Sequence, residues 1–153
     1  MTLKSGDPIP DISLKDKEGK LFSLSGLKGK AAVIYFYPRN FTPGCTTEAC
    51  DFRDKYEDFK DLGAEVVAIS ADSEASHRKF VEQYNLPFIF LSDPENKAKK
   101  AFGVKASLLG IIPGRETFVF DKNGLLRMRY NSLKAAQHTT KAIDALKEME
   151  HEG

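Results

Sequence analysis

Two kinds of stretch alternate along the chain, and together they predict an α/β fold with a central mixed β-sheet flanked by helices. Short runs of β-branched and aromatic residues read as buried strands; the longest is AAVIYFY, residues 31–37. Between them lie segments whose apolar residues recur every three or four positions, as on a helix with one buried face. A third observation makes the sheet mixed. Lys122-Asn123-Gly124 joins two strand-like runs near the C-terminus, and Asn-Gly is a strong hairpin signal.

Taken in order, residues 11–14 and 20–24 flank a polar turn at Gly19 and predict an N-terminal hairpin. Residues 31–37, 65–70 and 88–91 predict three core strands. Residues 116–121 and 125–130 predict the late hairpin. Cys45, Ala49, Phe52, Tyr56 and Phe59 share one helical face and predict a helix over 43–62. A second helix covers 73–84, with Phe80, Val81 and Tyr84 on one side, and a short third covers 94–102. The last covers 133–149, with Ala136, Ile143, Leu146 and Met149 as its inner stripe. This order fits a thioredoxin-like fold with an added N-terminal β-hairpin. No linker or repeat interrupts the 153 residues, so one domain over 1–153 is expected.

Composition narrows the function. A net charge of +1, with acids and bases interspersed, offers no surface for nucleic acid or membrane. No apolar run is long enough to span a bilayer, and residues 1–6 hold no hydrophobic signal core. A cytoplasmic location is expected, or an organellar stroma if a leader has been removed. Two cysteines are too few for a disulfide scaffold. A metal site would need two of His77, His138 and His151, which are scattered, so none is expected. His77 is expected to pack inside, and His138 and His151 to lie on the surface. Lys97, Lys99 and Lys100 read as a solvated helix face.

The chemistry concentrates where the first core strand gives way to the longest helix, from Tyr37 to Cys50. Ligands in open α/β sheets bind at such carboxyl ends of strands. Thr42 suits the N-cap and Pro43 the first helical position, which puts Cys45 third in the helix. Its sulfur then lies near unpaired backbone N–H groups and the positive end of the helix dipole, and both favour thiolate over thiol. Gly44 allows a substrate close to the backbone. Taken alone, Cys45 is equally compatible with a small core residue. Cys50 tips the balance: it lies about 140° around the helix from Cys45, away from the apolar stripe. An outward thiol five residues from a poised thiolate suits a resolving partner. In an intact helix the two Cα atoms stand about 8.7 Å apart, and a disulfide needs less than ~7 Å. The helix must therefore unwind for the pair to bond.

With these residues in place, Pro38-x-x-x-Thr42-x-x-Cys45 resembles the P-x-x-x-[TS]-x-x-C signature of the peroxiredoxins. The longer string from Tyr35 through Thr46 to Cys50 is similar to the Q-type subgroup, also called bacterioferritin comigratory protein. Residues 113–121, Pro113-Gly114-Arg115 onward, resemble its arginine-bearing strand. The resemblance implies reduction of hydrogen peroxide and organic hydroperoxides. Cys45 would be the peroxidatic nucleophile and Cys50 the resolving thiol. Thr42, Arg115 and the backbone N–H groups of Gly44 and Cys45 would hold the peroxide, and Pro38 would shield the oxidised sulfur. It also implies an intramolecular Cys45–Cys50 disulfide reopened by thioredoxin, or by glutaredoxin in some members, no bound cofactor, and a monomer, a dimer also being compatible. Two other readings stay open from the residues. One is a thioredoxin-type disulfide oxidoreductase, against which the C-x₄-C spacing and Thr42 argue. The other is a non-enzymatic redox sensor using the same pair.

Overall fold

The structure, a computed structural model, describes residues 3–104 and 114–152. Its centre is a seven-stranded sheet. In chain order the strands are β1 (Ser13–Asp16), β2 (Leu21–Ser23), β3 (Ala31–Phe36), β4 (Ala64–Ser70), β5 (Ile89–Ser92), β6 (Glu116–Phe120) and β7 (Leu126–Asn131). They lie side by side as β2-β1-β5-β4-β3-β6-β7. β3, β4 and β5 are parallel, and every other pairing is antiparallel. The mixed sheet, its N-terminal hairpin and its late hairpin agree with the sequence expectation.

Helices α1 (Pro43–Asp54), α2 (Tyr56–Asp61), α3 (Glu74–Tyr84), α4 (Lys97–Phe102) and α5 (His138–Glu152) cover the sheet unequally. Side chains alternate across a strand, so β3 feeds two cores. Val33 and Tyr35 meet Ala49 and Phe52 of α1, Phe59 of α2, Phe80 of α3 and Leu146 of α5. Ile34 and Phe36 meet Phe102 of α4, with Leu14, Leu24, Phe118 and Phe120. On the first face Tyr35 stacks on Phe52, their ring centroids 4.5 Å apart. This contact fixes how α1 lies over the end of β3.

β1 lies two residues later than the expected 11–14, and three helices depart from expectation. The helix expected over 43–62 breaks at Lys55 into α1 and α2, although the apolar stripe runs through both. The third helix starts at Lys97 rather than 94, because Asn96 takes a left-handed φ of 59°. The Asp93 carboxylate then caps α4 by accepting from the N–H groups of Ala98 and Lys99. The last helix begins at His138, after Gln137 with φ 77°, so residues 132–137 form a loop.

Candidate active site

Residues 37–42 carry the chain from β3 into α1, and a buried polar network holds them. The Asn40 side chain accepts from the Tyr37 hydroxyl at 2.5 Å and lies 3.0 Å from His77 Nδ1 and 3.1 Å from Ser76 Oγ, both on α3. The Asn40 backbone N–H donates to Asp72 at 2.9 Å. His77 is buried, as expected, and burial lowers its pKa. Pro38 is half-buried in this loop, and Phe41 takes a left-handed φ of 67°.

Thr42 has the extended backbone of an N-cap, and Pro43 opens α1. Its side chain does not cap, however. The hydroxyl donates back to Arg39 O at 2.9 Å, which commits its proton and leaves its lone pairs free. The early N–H groups of α1, those of Gly44 and Cys45 among them, have no partner within the helix. Cys45 is third in α1 and only 1% exposed. Cys50 shares the continuous helix and is half-buried. Burial raises the Cys50 pKa; Arg53 pulls the other way, and Asp54 and Asp51 reinforce the rise. Both cysteines are free.

Arg115 stands just before β6, 70 residues from Cys45 in sequence, and reaches it directly. Its Nη2 donates to Cys45 Sγ at 3.4 Å, its Nη1 to Glu48 Oε1, and its Nε to Leu133 O at 2.9 Å. The guanidinium is thus fixed on three sides. Gly44 makes room for it: a Cβ there would stand 3.0 Å from Nη2. Glu48 is fully buried, and its Oε2 has no hydrogen-bond partner. Burial pushes the Glu48 pKa up to about 8, against the pull of Arg115. Burial also works against the Arg115 charge, but Glu48 and Cys45 more than offset it and raise its pKa. We favour a largely neutral Glu48 near neutral pH, because one of its oxygens is desolvated without compensation.

His138 corrects the sequence expectation. It is fully buried, with Nδ1 2.7 Å from Thr117 Oγ1, Nε2 2.9 Å from Ser132 O, and Nδ1 3.6 Å from Glu48 Oε2. Burial lowers its pKa to about 4. The signal was present in the sequence: positions 138, 142 and 146 repeat at helical spacing, and Ala142 and Leu146 are buried. Glu48 was missed too, although it lies three residues after Cys45 on the same side of the helix. His151 is exposed, as are Lys97 and Lys100, whereas Lys99 is half-buried. Pro113 lies outside the described residues. Among the described residues no cluster of three or more His, Cys, Asp or Glu could hold a metal, and no helix is long and apolar enough to cross a membrane.

The site can do one kind of chemistry well. A buried sulfur sits where a guanidinium and unpaired N–H groups converge, so negative charge on it, or on an oxygen beside it, is stabilised. Comparison with known proteins agrees. Residues 5–129 match the AhpC/TSA family. The chain is 51% identical over 146 residues to the chloroplastic peroxiredoxin Q of Sedum lineare, covering 93% of this chain and 78% of that protein. It is 52% identical over 130 residues to that of Populus jackii, covering 85% of this chain and 61% of that one. The chain thus spans less than two thirds of the Populus protein. Among solved structures, the peroxidoxin BcpB of Mycobacterium tuberculosis superposes with a TM-score of 0.87 at 36% identity, over 96% of this chain and 98% of that one. Peroxiredoxin Q of Xanthomonas campestris superposes with 0.86 at 30% identity, over 95% and 96%.

Proposed function

The chain belongs to the AhpC/TSA family and to its peroxiredoxin Q branch of thiol-dependent peroxidases, and on that premise we propose that Cys45 reduces hydroperoxides and Cys50 resolves the product. The observation that carries the assignment is Arg115 Nη2 at 3.4 Å from a buried sulfur at a helix start.

The Cys45 thiolate attacks the nearer peroxide oxygen. An S–O bond forms, the O–O bond breaks, and the leaving oxygen departs as water or an alcohol after taking a proton. Charge moves from sulfur to the leaving oxygen during the step. The Arg115 fork and the N–H groups of Gly44 and Cys45 can follow it without rearranging. Thr42, with its proton committed to Arg39 O, accepts from the O–H of the substrate. Pro38 has no N–H and walls the sulfenic acid from water. Cys50 then attacks the sulfenic sulfur, expelling water and closing the disulfide. A dithiol of the thioredoxin class, or glutaredoxin, reopens it by exchange.

Because both thiols sit in one continuous helix, α1 must unwind between Cys45 and Cys50 before they can bond. The pair needs no second copy, so the mechanism is compatible with a monomer and equally with a dimer. We place it in the cytoplasm or an organellar stroma, the plant relatives named above being chloroplastic. The test is peroxide consumption coupled to thioredoxin, thioredoxin reductase and NADPH. Wild type should turn over hydrogen peroxide and organic hydroperoxides, and Cys45→Ser should not. Cys50→Ser should be oxidised once and then stall. Reduction of insulin disulfides without peroxide consumption would overturn the reading.

A further inference from the structure

We propose that His138 is a positioning residue for the peroxidatic site: it holds the segment and the carboxyl that together aim the Arg115 fork at Cys45. The proposal rests on the peroxidase reading and extends it to a residue that touches neither substrate nor sulfur.

Arginine has a long, rotatable side chain, and its use here depends on the direction of its terminal nitrogens. Two anchors set that direction besides the sulfur: Leu133 O on Nε and Glu48 on Nη1. His138 stands behind both. Its Nε2–H donates to Ser132 O, the carbonyl just before that of Leu133. The Ser132 N–H in turn donates to Arg115 O at 3.2 Å. The loop 132–137 has no buried side chain of its own. Its start is therefore tied down by backbone bonds, the imidazole and the arginine. On the other side, the ring stops 3.6 Å short of the unpartnered Glu48 Oε2 and limits how far that carboxyl can retreat from Arg115.

The ring's state is fixed by its partners. A carbonyl only accepts, so Nε2 carries the proton, and Nδ1 accepts from the Thr117 hydroxyl. Tyr130 packs edge-on against the ring, centroids 4.8 Å apart. A buried imidazole with both nitrogens committed and a carboxyl and a guanidinium nearby is a costly way to fill space. An apolar side chain would fill it without the desolvation.

Two variants and a coupling measurement test this. His138→Phe keeps the volume and removes both bonds; His138→Gln keeps an amide donor for Ser132 O. Each is made alone and with Arg115→Ala, in a Cys50→Ser background. The readouts are the second-order rate constant for Cys45 oxidation by hydrogen peroxide and, without peroxide, the rate of Cys45 alkylation by iodoacetamide. His138→Phe should slow both about tenfold or more, the order of loss that follows small misplacement of a catalytic group, and His138→Gln should recover most of it. In the Arg115→Ala background His138→Phe should cost nothing further, because the fork it positions is gone. A tenfold loss that persists without Arg115, or a folded His138→Phe that reacts at the wild-type rate, overturns the proposal. If His138→Phe does not fold, Thr117→Val, which removes the hydroxyl from Nδ1, takes its place with the same expected coupling. If wild type is not oxidised by peroxide, the peroxidase reading falls, while the alkylation arm still decides the positioning role.

Discussion

Glu48→Gln makes a quantitative test of the buried cluster. Burial raises the Glu48 pKa from 4.5 to about 8. Between those values the folded chain holds a proton that the unfolded chain has released, so stability falls as pH rises across the window. At about 1.4 kcal/mol per unit, the whole window is worth at most about 5 kcal/mol. His138 acts in the opposite direction. Its pKa falls from 6.5 to about 4, so the unfolded chain takes a proton first and stability falls as pH drops through that range. From pH 4.5 to 6.5 the two slopes cancel, and above 6.5 Glu48 acts alone. Glutamine keeps an oxygen for Arg115 Nη1 and has no proton to lose. Urea unfolding of the reduced protein at a series of pH values gives the comparison. The stability of the variant relative to wild type should climb by several kcal/mol from pH 5 to 8 and flatten above. A constant offset across that range would falsify the account of a neutral, desolvated Glu48.

Other outcomes follow from the same geometry. Arg115→Ala removes the donor at the sulfur and should lower the rate of Cys45 oxidation about 10²–10³-fold; a rate within threefold of wild type contradicts its role. Gly44→Ala places a methyl 3.0 Å from Arg115 Nη2, and three anchors limit how far the guanidinium can yield. It should slow oxidation about tenfold, as a modest misplacement does, with little change in unfolding temperature; an unaltered rate would show that the fork adjusts freely. Hydrogen exchange should find residues 43–52 less protected in the disulfide form than in the reduced form. Equal protection would exclude unwinding of α1.

How much of this was legible in the sequence depends on how local each cause is. The run AAVIYFY announced β3, since every residue of Ala31–Phe36 is buried. Thr42-Pro43-Gly44 announced the start of α1, because caps and first-turn residues act within a few positions. The break at Lys55 was hidden, since Phe52 and Phe59 are buried on the same face of two successive helices. The late start of α5 depended on the left-handed Gln137, for which the apolar pattern carries no sign. In the site, Cys45 could be singled out from its own helix. Arg115 came only from family resemblance, because nothing local ties a residue before β6 to a sulfur 70 positions away. His138 read as a surface residue because a polar type outweighed its spacing, although buried histidines are intermediate in frequency rather than rare.

On the proposed mechanism, peroxide attack and disulfide closure require incompatible shapes of α1, and the place of Glu48 in that helix predicts that the exchange depends on pH. Glu48 lies between Cys45 and Cys50, so opening the helix over 45–50 displaces it from the core. In place it keeps its proton up to about pH 8; freed into water it ionises as an ordinary carboxyl. Opening between pH 4.5 and 8 therefore releases a proton, and the open fraction gains up to about tenfold per pH unit. In the first turn Pro43 and Thr47 are exposed and Thr42 provides no side-chain cap, so the resistance there comes from buried Cys45 and its contact with Arg115. Phe52, fully buried one turn beyond Glu48, anchors the rest. Conversion of sulfenic acid to disulfide, timed by quenched flow and mass spectrometry because the chain has no Trp, should accelerate with pH in wild type. Part of that slope belongs to Cys50, whose thiolate also becomes more abundant as pH rises. Glu48→Gln leaves the Cys50 contribution and removes the other, so its slope from pH 5 to 8 should be shallower. Identical slopes would mean that Glu48 stays buried and neutral while its two neighbours meet, and that the helix opens by some other route.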